Sequence, residues 1–392
     1  MNRLWTVAAL ALVLLAPHGR AGPLPSGSDD VMPDGTRARR AGERRAAGAS
    51  SHDRVLTREE RLAFIRRAQI WVPTDVTAMD LRAGPQGPGA FPPDATVACT
   101  YVQVKLPGSS RKFDCAIERT DAKKDVVKVR YGAANGEVEG SVLASRLLWA
   151  LGFAADRVYP VRVLCRGCSP DPWTKREPAP GEQLFDPAAI ERKPEGREMK
   201  TAVGSGWAWP ELDLVDETEG GAPAAQRDAL KLLAAFMQHT DSKPEQQRLL
   251  CLPGGLTDAG ECSRPFLMLH DVGLTFGHAN YFNSTRTGSV NFAEWARTPV
   301  WRDAFACVAH MSKSHTGTLG DPTISEAGRA FLARLLEQLT DAQLHDLFDV
   351  ARVEQRRLDE RSHEGTPAAS VDEWVAAFKR KRDEIVANRC PE

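Results

Sequence analysis

Two short polar segments in the second half of the chain constrain its fold more than any other feature. Residues 239–246 carry a carboxylate at Asp241, a cation at Lys243 and an amide three positions later. Residues 269–273 carry a carboxylate at Asp271, two positions before a glycine. A helical pattern leads into the first segment, and a short apolar strand pattern leads into the second. These two segments are therefore the first candidates for a functional site.

Length and charge limit the class of protein. The chain has 392 residues, enough for one large domain in two lobes or for two domains, with a substantial hydrophobic core. Its formal net charge is -1, so bulk electrostatics favour neither nucleic acid nor an acidic membrane surface as a partner. The hydrophobic content of 42% is ordinary for a soluble globular protein. We therefore expect no nucleic-acid partner.

The N-terminal residues have the pattern of a secretory signal peptide. A short positive region at Asn2 and Arg3 precedes an apolar run over residues 4–16, and small residues follow before an expected cleavage after Ala21. The rival interpretation is an uncleaved membrane anchor, but the run is shorter than the roughly 20 residues that a spanning helix needs. The sequence thus predicts a signal peptide over residues 1–21 and an exported, periplasmic or secreted protein without a membrane span.

A linker is predicted between the signal peptide and the folded part of the chain. Residues 22–55 are rich in Gly, Ala, Ser and Arg and have almost no large apolar side chains. Such a composition cannot bury enough surface to offset the entropy lost on ordering, so it predicts a disordered segment.

Export changes how the eight cysteines are interpreted, because pairing is the default in an oxidising compartment. Cys99 and Cys115 flank an alternating segment with a Pro-Gly-Ser-Ser turn at its middle, which predicts a hairpin closed by a disulfide. Cys251 and Cys262 bracket a Gly/Pro-rich loop and are predicted to form another bridge.

The other four cysteines leave alternatives open. Cys165 and Cys168 have the spacing of a redox motif or of half a zinc site, but no second Cys-x-x-Cys completes a zinc site. We therefore expect them to form a structural bridge or to pair elsewhere. Cys307 and Cys390 remain and are candidates to pair with each other.

The first half of the folded part is predicted to be rich in strands. A capping-box pattern at Thr57–Glu60 opens a helix. Residues 137–151 predict an amphipathic helix that ends at Gly152. Strands are predicted over residues 76–81, 96–104, 112–118, 126–131 and 158–164, and residues 188–193 read as an edge strand after a Pro-rich insertion.

The second half is predicted to be mostly helical. The apolar spacing indicates helices over residues 223–238, 300–311, 325–339, 341–354 and 371–387, of which the third and fourth are entered through Ser325 and Asp341. These patterns predict an α+β fold with a β-rich part over residues 56–200 and a helical part over residues 201–392.

The two polar segments resemble the H-R-D-x-K-x-x-N and D-F-G motifs of protein kinases. By that resemblance Asp241 would orient the acceptor hydroxyl and Lys243 would steady the γ-phosphate. Asp271 and Gln246 would hold Mg²⁺ or Mn²⁺, with Gln246 standing where kinases carry asparagine. The resemblance implies a two-lobed, protein-kinase-like fold, similar to atypical, secretory-pathway kinases, with a β-rich N-terminal lobe containing one helix and a helical C-terminal lobe. The predicted disulfides would staple this fold.

The resemblance extends to the nucleotide phosphates. The segment around Lys128 resembles the V-A-I-K strand, so Lys128 would bind the α- and β-phosphates. Its acidic partner on the next helix would be Glu137, with Glu139 as second choice. Gly84, Gly87 and Gly89 would cradle the phosphates, since glycines let backbone N–H groups approach. Two prolines in that loop remove donors, so a plain surface turn is the alternative.

Three functions follow from these patterns. The first is an exported phosphotransferase that uses ATP with Mg²⁺ or Mn²⁺ on a protein, sugar or lipid hydroxyl. The second is a pseudokinase that binds a ligand or partner without phosphate transfer, which the glutamine at position 246 favours. The third is an unrelated α+β protein of the cell envelope.

Overall fold

The computed structural model describes residues 54–118, 124–202, 206–277, 289–311, 317–357 and 368–391. The predicted signal peptide lies outside the described residues, and so does the predicted linker except for its last two positions. The protein has a mixed α+β fold, as the sequence predicts. Within the described ranges, no helix combines the length and the apolar character needed to cross a membrane.

Five strands form a closed barrel in the first half of the chain. The strands are β2 Thr96–Val102, β3 Lys112–Glu118, β4 Lys124–Tyr131, β5 Arg157–Arg166 and β6 Glu182–Arg192. Their order around the barrel is β2–β3–β4–β6–β5, and β2 closes it by pairing in parallel with β5. The other four pairings are antiparallel.

Side-chain alternation gives the barrel two different faces. The inner face is apolar and aromatic: the Tyr131 and Phe185 rings lie 4.9 Å apart, and Phe113 packs against both. The outer face is charged, because the register places Lys128 between Asp114 and Glu191, and places Lys112 opposite Arg130. The barrel is therefore filled by an apolar core, and its charged residues point toward the rest of the protein.

Two strand predictions in this half are wrong. The predicted edge strand at residues 188–193 belongs to β6, which begins at Glu182 and pairs with strands on both sides. The predicted strand at residues 76–81 is a 3₁₀ turn over Val76–Ala78. There the Gln343 side-chain amide donates to the carbonyls of Val76 and Met79, each at 2.8 Å, so a distant side chain takes the hydrogen bonds that a neighbouring strand would have made.

The helix α2, Glu137–Ala150, is buried on every side. We predicted an amphipathic helix, and its bounds are confirmed but its exposed face is not. The helix is enclosed by β5, β6 and a later helix, so even Arg146 is fully buried. The Arg146 guanidinium donates to the carbonyls of Leu81 and Val158, both at 2.9 Å, so backbone carbonyls serve as its hydrogen-bond acceptors.

Short strands connect the first residues to the second half. The strand β1, Val55–Leu56, pairs with β8, Lys200–Thr201, so the last residue of the predicted linker is part of a sheet. The helix α1, Arg58–Arg66, begins with the predicted capping box at Thr57. The other short strands are β7 Arg197–Glu198, β9 Gln247–Cys251 and β10 Pro265–Leu269, which form a three-stranded sheet with β9 at its centre.

The second half is largely helical. Its helices are α3 Ala224–Phe236, α4 Phe292–Arg297, α5 Glu326–Glu337, α6 Asp341–Val350 and α7 Val371–Ala387. The predicted helix at residues 300–311 is wrong, because β11, Trp301–Asp303, and β12, Val308–Ala309, form an antiparallel pair there. Cys307 has φ +51° directly before β12, and this left-handed conformation does not fit a right-handed helix.

All eight cysteines are paired. The predicted bridges Cys99–Cys115 and Cys251–Cys262 are present, and the open alternatives resolve into Cys165–Cys168 and Cys307–Cys390. The last bridge joins residues 83 positions apart and ties the end of the chain to β12. Four bridges are typical of a protein that folds in an oxidising compartment.

Candidate functional site

The β9–β10 hairpin brings the two polar segments together. The segment before β9 and the segment after β10 lie side by side, because the His270 N–H donates to the Gln246 carbonyl at 2.8 Å. At their other ends, the Thr240 N–H donates to the Leu274 carbonyl at 3.3 Å. The two segments, about 30 positions apart in sequence, therefore lie next to each other in the fold.

Asp241 lies in a small polar cluster with the residues predicted to act with it. Its carboxylate accepts a hydrogen bond from the Gln246 side-chain amide at 2.9 Å and forms an ion pair with Lys243 at 3.1 Å. The neighbouring Ser242 fixes the loop: its hydroxyl accepts from the Leu319 N–H, and its carbonyl accepts from the Thr318 hydroxyl. The Asp241 carboxylate is thus held by a loop anchored on both sides.

Arg130 on β4 is the centre of the charged face of the barrel. Its guanidinium is 1% exposed and forms ion pairs with three carboxylates: Glu137 on α2, Glu191 on β6 at 3.2 Å and Asp271 at 2.9 Å. Desolvation acts to lower the pKa of Arg130, but the three carboxylates outweigh it and raise that pKa. Arg130 therefore stays charged and connects the barrel, the buried helix and the second half.

Asp271 is ionised by its surroundings. Burial acts to raise its pKa, but the positive charges of Arg130 and Lys128 hold the pKa of Asp271 well below its usual range. The Gly273 N–H also donates to its carboxylate at 3.3 Å. A permanently anionic oxygen donor at this place is what the metal prediction for Asp271 requires.

Glu137 and Glu139 are both buried in the first turn of α2 but have different surroundings. Glu137 accepts hydrogen bonds from Arg130 and, at 2.7 Å, from the Ser110 hydroxyl. Both carboxylate oxygens of Glu139 lack a hydrogen-bond partner among the residues that the structure describes. Desolvation raises the pKa of Glu139 to about 8, although Arg356 opposes the shift. Of the two acids predicted for this role, Glu137 faces the charge cluster.

The acidic partner of Lys128 is different from the predicted one. The Lys128 ammonium forms an ion pair with Glu191 at 2.5 Å, whereas Arg130 is the cation bound to Glu137. Because positions 128 and 130 share the outer face of β4, both point toward the cluster, and position 130 lies nearer to α2. Strand alternation in the run Val126–Arg130 was the signal that could have identified Arg130.

The predicted phosphate-binding glycines lie elsewhere. A Cβ atom added to Gly84 would lie 2.7 Å from the Arg146 guanidinium carbon, and one added to Gly89 would lie 2.8 Å from that of Arg192. Gly87, which belongs to the same loop as Gly84 and Gly89, lies near Arg157 on β5. Arg192 follows Glu191 on β6, so alternation sends its side chain to the opposite face of the strand. The structure thus places Gly84, Gly87 and Gly89 around arginines and not at the Arg130 cluster.

The turn that does reach the cluster connects β2 to β3. Ser110 from this turn donates to Glu137, and Gly108 lies against the side chain of Lys112. The sequence interpretation treated this turn only as part of a disulfide-closed hairpin. The sequence signal that could have linked this turn to the site is its position directly before β3, the strand that pairs with β4.

A second polar contact beside the cluster was not predicted. The Asp156 carboxylate lies 2.5 Å from Nδ1 of His270 and is almost fully buried. Burial raises the pKa of Asp156 to about 6, and the neighbouring His270 opposes the shift. Asp156, Glu191 and His270 offer possible ligand atoms within 4.8 Å of one another, but the Glu191 carboxylate already pairs with Lys128 and Arg130.

Asp271 has the chemistry that suits a hard divalent cation, because its carboxylate is an anionic oxygen donor of the kind that Mg²⁺ and Mn²⁺ prefer. Gln246 lies on the adjacent loop, where its backbone carbonyl accepts from the His270 N–H and its side-chain amide donates to Asp241. One oxygen of Asp271 is engaged by Arg130.

Comparison with known proteins adds no assignment. No protein-family profile matches the sequence, and no curated protein is significantly similar to it.

Proposed function

We propose that the protein is a kinase-like phosphotransferase that uses a nucleoside triphosphate with Mg²⁺ or Mn²⁺ to phosphorylate a hydroxyl acceptor. One observation carries this proposal. Arg130, on the third barrel strand, joins Glu137 on the following helix to Asp271 on the loop after β10. Protein kinases depend on a cation of the third strand paired with a glutamate of the next helix, next to a metal-binding aspartate.

The order of elements supports the same proposal. Three antiparallel strands precede α2, two further strands complete the barrel, and the polar segments follow α3 and β10. A two-lobed, kinase-like arrangement would use the charged barrel face as the roof of its cleft. The hairpin loops with Asp241 and Asp271 would form the floor.

The proposed roles follow from the surroundings of each side chain. Asp241 accepts the hydrogen bond of the acceptor hydroxyl and orients it for attack. Lys243, ion-paired with Asp241 at 3.1 Å, supplies positive charge beside the transferred group. Arg130 holds Glu137 and Asp271 in fixed positions, which keeps the phosphate-binding groups preorganised.

Asp271 and Gln246 would hold the divalent ion. When bound, such an ion neutralises charge on the phosphate oxygens. The glutamine in place of asparagine adds one methylene to the ligand. A longer ligand favours an ion that tolerates distorted geometry, so we expect Mn²⁺ to support activity at least as well as Mg²⁺.

The decisive test combines thermal unfolding with phosphate transfer. We expect ATP with Mg²⁺ or Mn²⁺ to raise the melting temperature of the chain, and Asp271→Asn to abolish that shift because the anionic ligand is lost. Asp241→Asn should keep the shift and lower turnover by about 10²-fold or more, since its carboxylate serves the acceptor. Asp258→Asn, on an exposed loop, is the matched control. A wild-type chain that neither binds nor turns over ATP would disprove the proposal.

A ligand-binding module without phosphate transfer is the second candidate. It is favoured by the direct ion pair between Arg130 and Asp271, which engages the carboxylate that a metal ion needs. ATP binding that is independent of divalent metal, with no transfer to any acceptor or to water, would identify this function.

A further inference from the structure

Lys112 is a buried cation without an anionic partner. It lies at the start of β3 on the charged outer face, opposite Arg130 in the register, and is only 9% exposed. No ion pair of Lys112 is found within the described ranges, and its one recorded neighbour of opposite character is the Trp173 ring, whose centroid lies 5.9 Å from the ammonium. The two cations of the neighbouring strand on this face, Lys128 and Arg130, are both paired with carboxylates.

This arrangement is unfavourable for the protein alone. Burial of an ammonium group without a paired anion costs free energy, and the positive charge of Arg130 adds repulsion. Desolvation and Arg130 both lower the pKa of Lys112, although Glu137 and Asp271 act in the opposite direction from a distance. An unpaired buried charge beside a candidate site is the kind of strained feature that a bound ligand relieves.

The turn above Lys112 leaves room for it. Gly108 has φ +97°, and a Cβ atom added there would lie 2.7 Å from the Lys112 ammonium nitrogen. Glycine is therefore required both for the left-handed backbone and for the close approach. Two residues on, the Ser110 hydroxyl is bonded to Glu137. The ammonium thus lies directly against this tight turn, on the same outer face of the barrel as Arg130.

We propose that Lys112, beneath the turn at residues 107–110, is the cation that binds the phosphate groups of a polyphosphate ligand. Arg130 is then a positioning residue that holds Glu137 and Asp271. This inference rests on the proposed function and names a different phosphate-binding residue from Lys128. The Trp173 ring lies beside the ammonium.

The alternatives among the neighbouring cations are weaker. Arg130 donates to three carboxylates and Lys128 is bonded to Glu191, so either would have to break an ion pair to bind phosphate. Lys112 breaks none. A phosphate oxygen next to Lys112 would replace a desolvated, unpaired charge by a charge-assisted hydrogen bond.

The test measures binding of two probes to the full chain by titration calorimetry: ATP with Mg²⁺, and inorganic tripolyphosphate. Lys112→Met should weaken the binding of both by at least about tenfold, the loss expected for a charge-assisted hydrogen bond. Lys175→Met, which alters an exposed lysine of the loop that carries Trp173, is the matched control and should bind as the wild type does. Lys112→Met should also melt no lower than the wild type, because it removes an unpaired buried charge.

A second measurement uses the side chain directly. Acylation of lysines followed by peptide mass spectrometry should show Lys112 modified several-fold more slowly when tripolyphosphate is present. Equal affinity of Lys112→Met and Lys175→Met for both probes, or a larger loss in Lys128→Met, would overturn the inference and leave the proposed function intact. Binding of tripolyphosphate but not ATP would support Lys112 and contradict the nucleotide function, and binding of neither would overturn both.

Discussion

The aromatic core of the helical part and the charge cluster around Arg130 are both buried, but opposite interactions hold them together. In the helical part Trp374 stacks on Trp295 and Phe348, each with centroids 5.4 Å apart, and is 1% exposed. In the cluster Arg130 is equally buried among three carboxylates. The first region gains stability from apolar burial and close packing, whereas the second depends on ion pairs that must offset a large desolvation cost.

The comparison shows where function constrains the sequence. Well-packed apolar residues often stabilise a fold as well as, or better than, a buried ion pair of similar volume. The aromatic core is the arrangement expected from stability alone. The cluster contains Arg130 with three carboxylates and, beside it, Lys112 without an ion pair among the described residues, and stability alone does not explain this distribution. Glu139, in the same turn of α2 as Glu137, is a buried acid without a hydrogen-bond partner in the described ranges.

The largest effect is expected in the aromatic core. Trp374→Ala should lower the free energy of unfolding by about 3–5 kcal/mol, through lost burial and the cavity that remains. The loss should be the same at pH 5 and pH 6.5, because the surrounding rings do not titrate there and the Lys381 ammonium over Trp295, whose pKa burial lowers to about 8, stays charged. Urea unfolding at both values measures it, with Phe305→Ala as control, since Phe305 is 89% exposed. A strongly pH-dependent loss of stability would contradict the proposed difference between the aromatic core and the charge cluster.

The cluster should respond to pH where the aromatic core does not. Arg130→Met should lower the free energy of unfolding by about 3 kcal/mol at pH 7, because Glu137 and Asp271 lose their cation while Lys128 still holds Glu191. The loss should shrink on acidification. Arg130 is the main cause that holds the folded-state pKa of Asp271 well below its unfolded value of about 3.8, so this contribution is present above the unfolded value and is lost progressively as pH falls below it.

This second prediction is checked by urea unfolding of the wild type and Arg130→Met between pH 7 and pH 3. Arg302→Met, which removes an exposed ion pair to Asp321, is a suitable control and should cost little at any pH. A constant difference over that range would show that the guanidinium acts through packing and not through its charge.

The smallest effect is expected from Glu139, the buried acid in the first turn of α2. Its folded-state pKa of about 8 exceeds the unfolded value, so wild-type stability is complete below about 4.5 and is lost as pH rises toward 8. Glu139→Gln cannot lose that proton and should be more stable than the wild type by about 1–3 kcal/mol at pH 8. Unfolding at pH 5 and pH 8 tests this, with the exposed Glu59→Gln as control. Lower stability of Glu139→Gln at pH 8 would contradict it.

Local patterns predicted local structure well. The bounds of α7 and β3 agree with the predicted ranges, and the capping box at Thr57 is present as predicted. These features depend on residues within a few positions of one another, such as the Ser370 hydroxyl that accepts from the Glu373 N–H at 3.3 Å. Cysteine spacing also sufficed for the two hairpin bridges, because each closes a short loop.

The errors arose where distant residues decide the outcome. Strand alternation places Lys128 and Arg130 on the same face, but the choice of Arg130 as partner of Glu137 depends on how the barrel meets α2. The same holds for α2 itself, whose polar residues are buried by elements from both halves. For the candidate site, the sequence predicted the carboxylates and their order, but it did not predict which cation and which turn approach them.

The bridge between Cys307 and Cys390 has a consequence for damage to the chain. It encloses α5, α6 and α7 in one covalent ring. A protease that nicks the backbone anywhere within that ring leaves two pieces still joined through sulfur, so non-reducing electrophoresis would show a single intact band. The last three long helices of the protein are thereby protected from loss after cleavage, and only a reductant would release them.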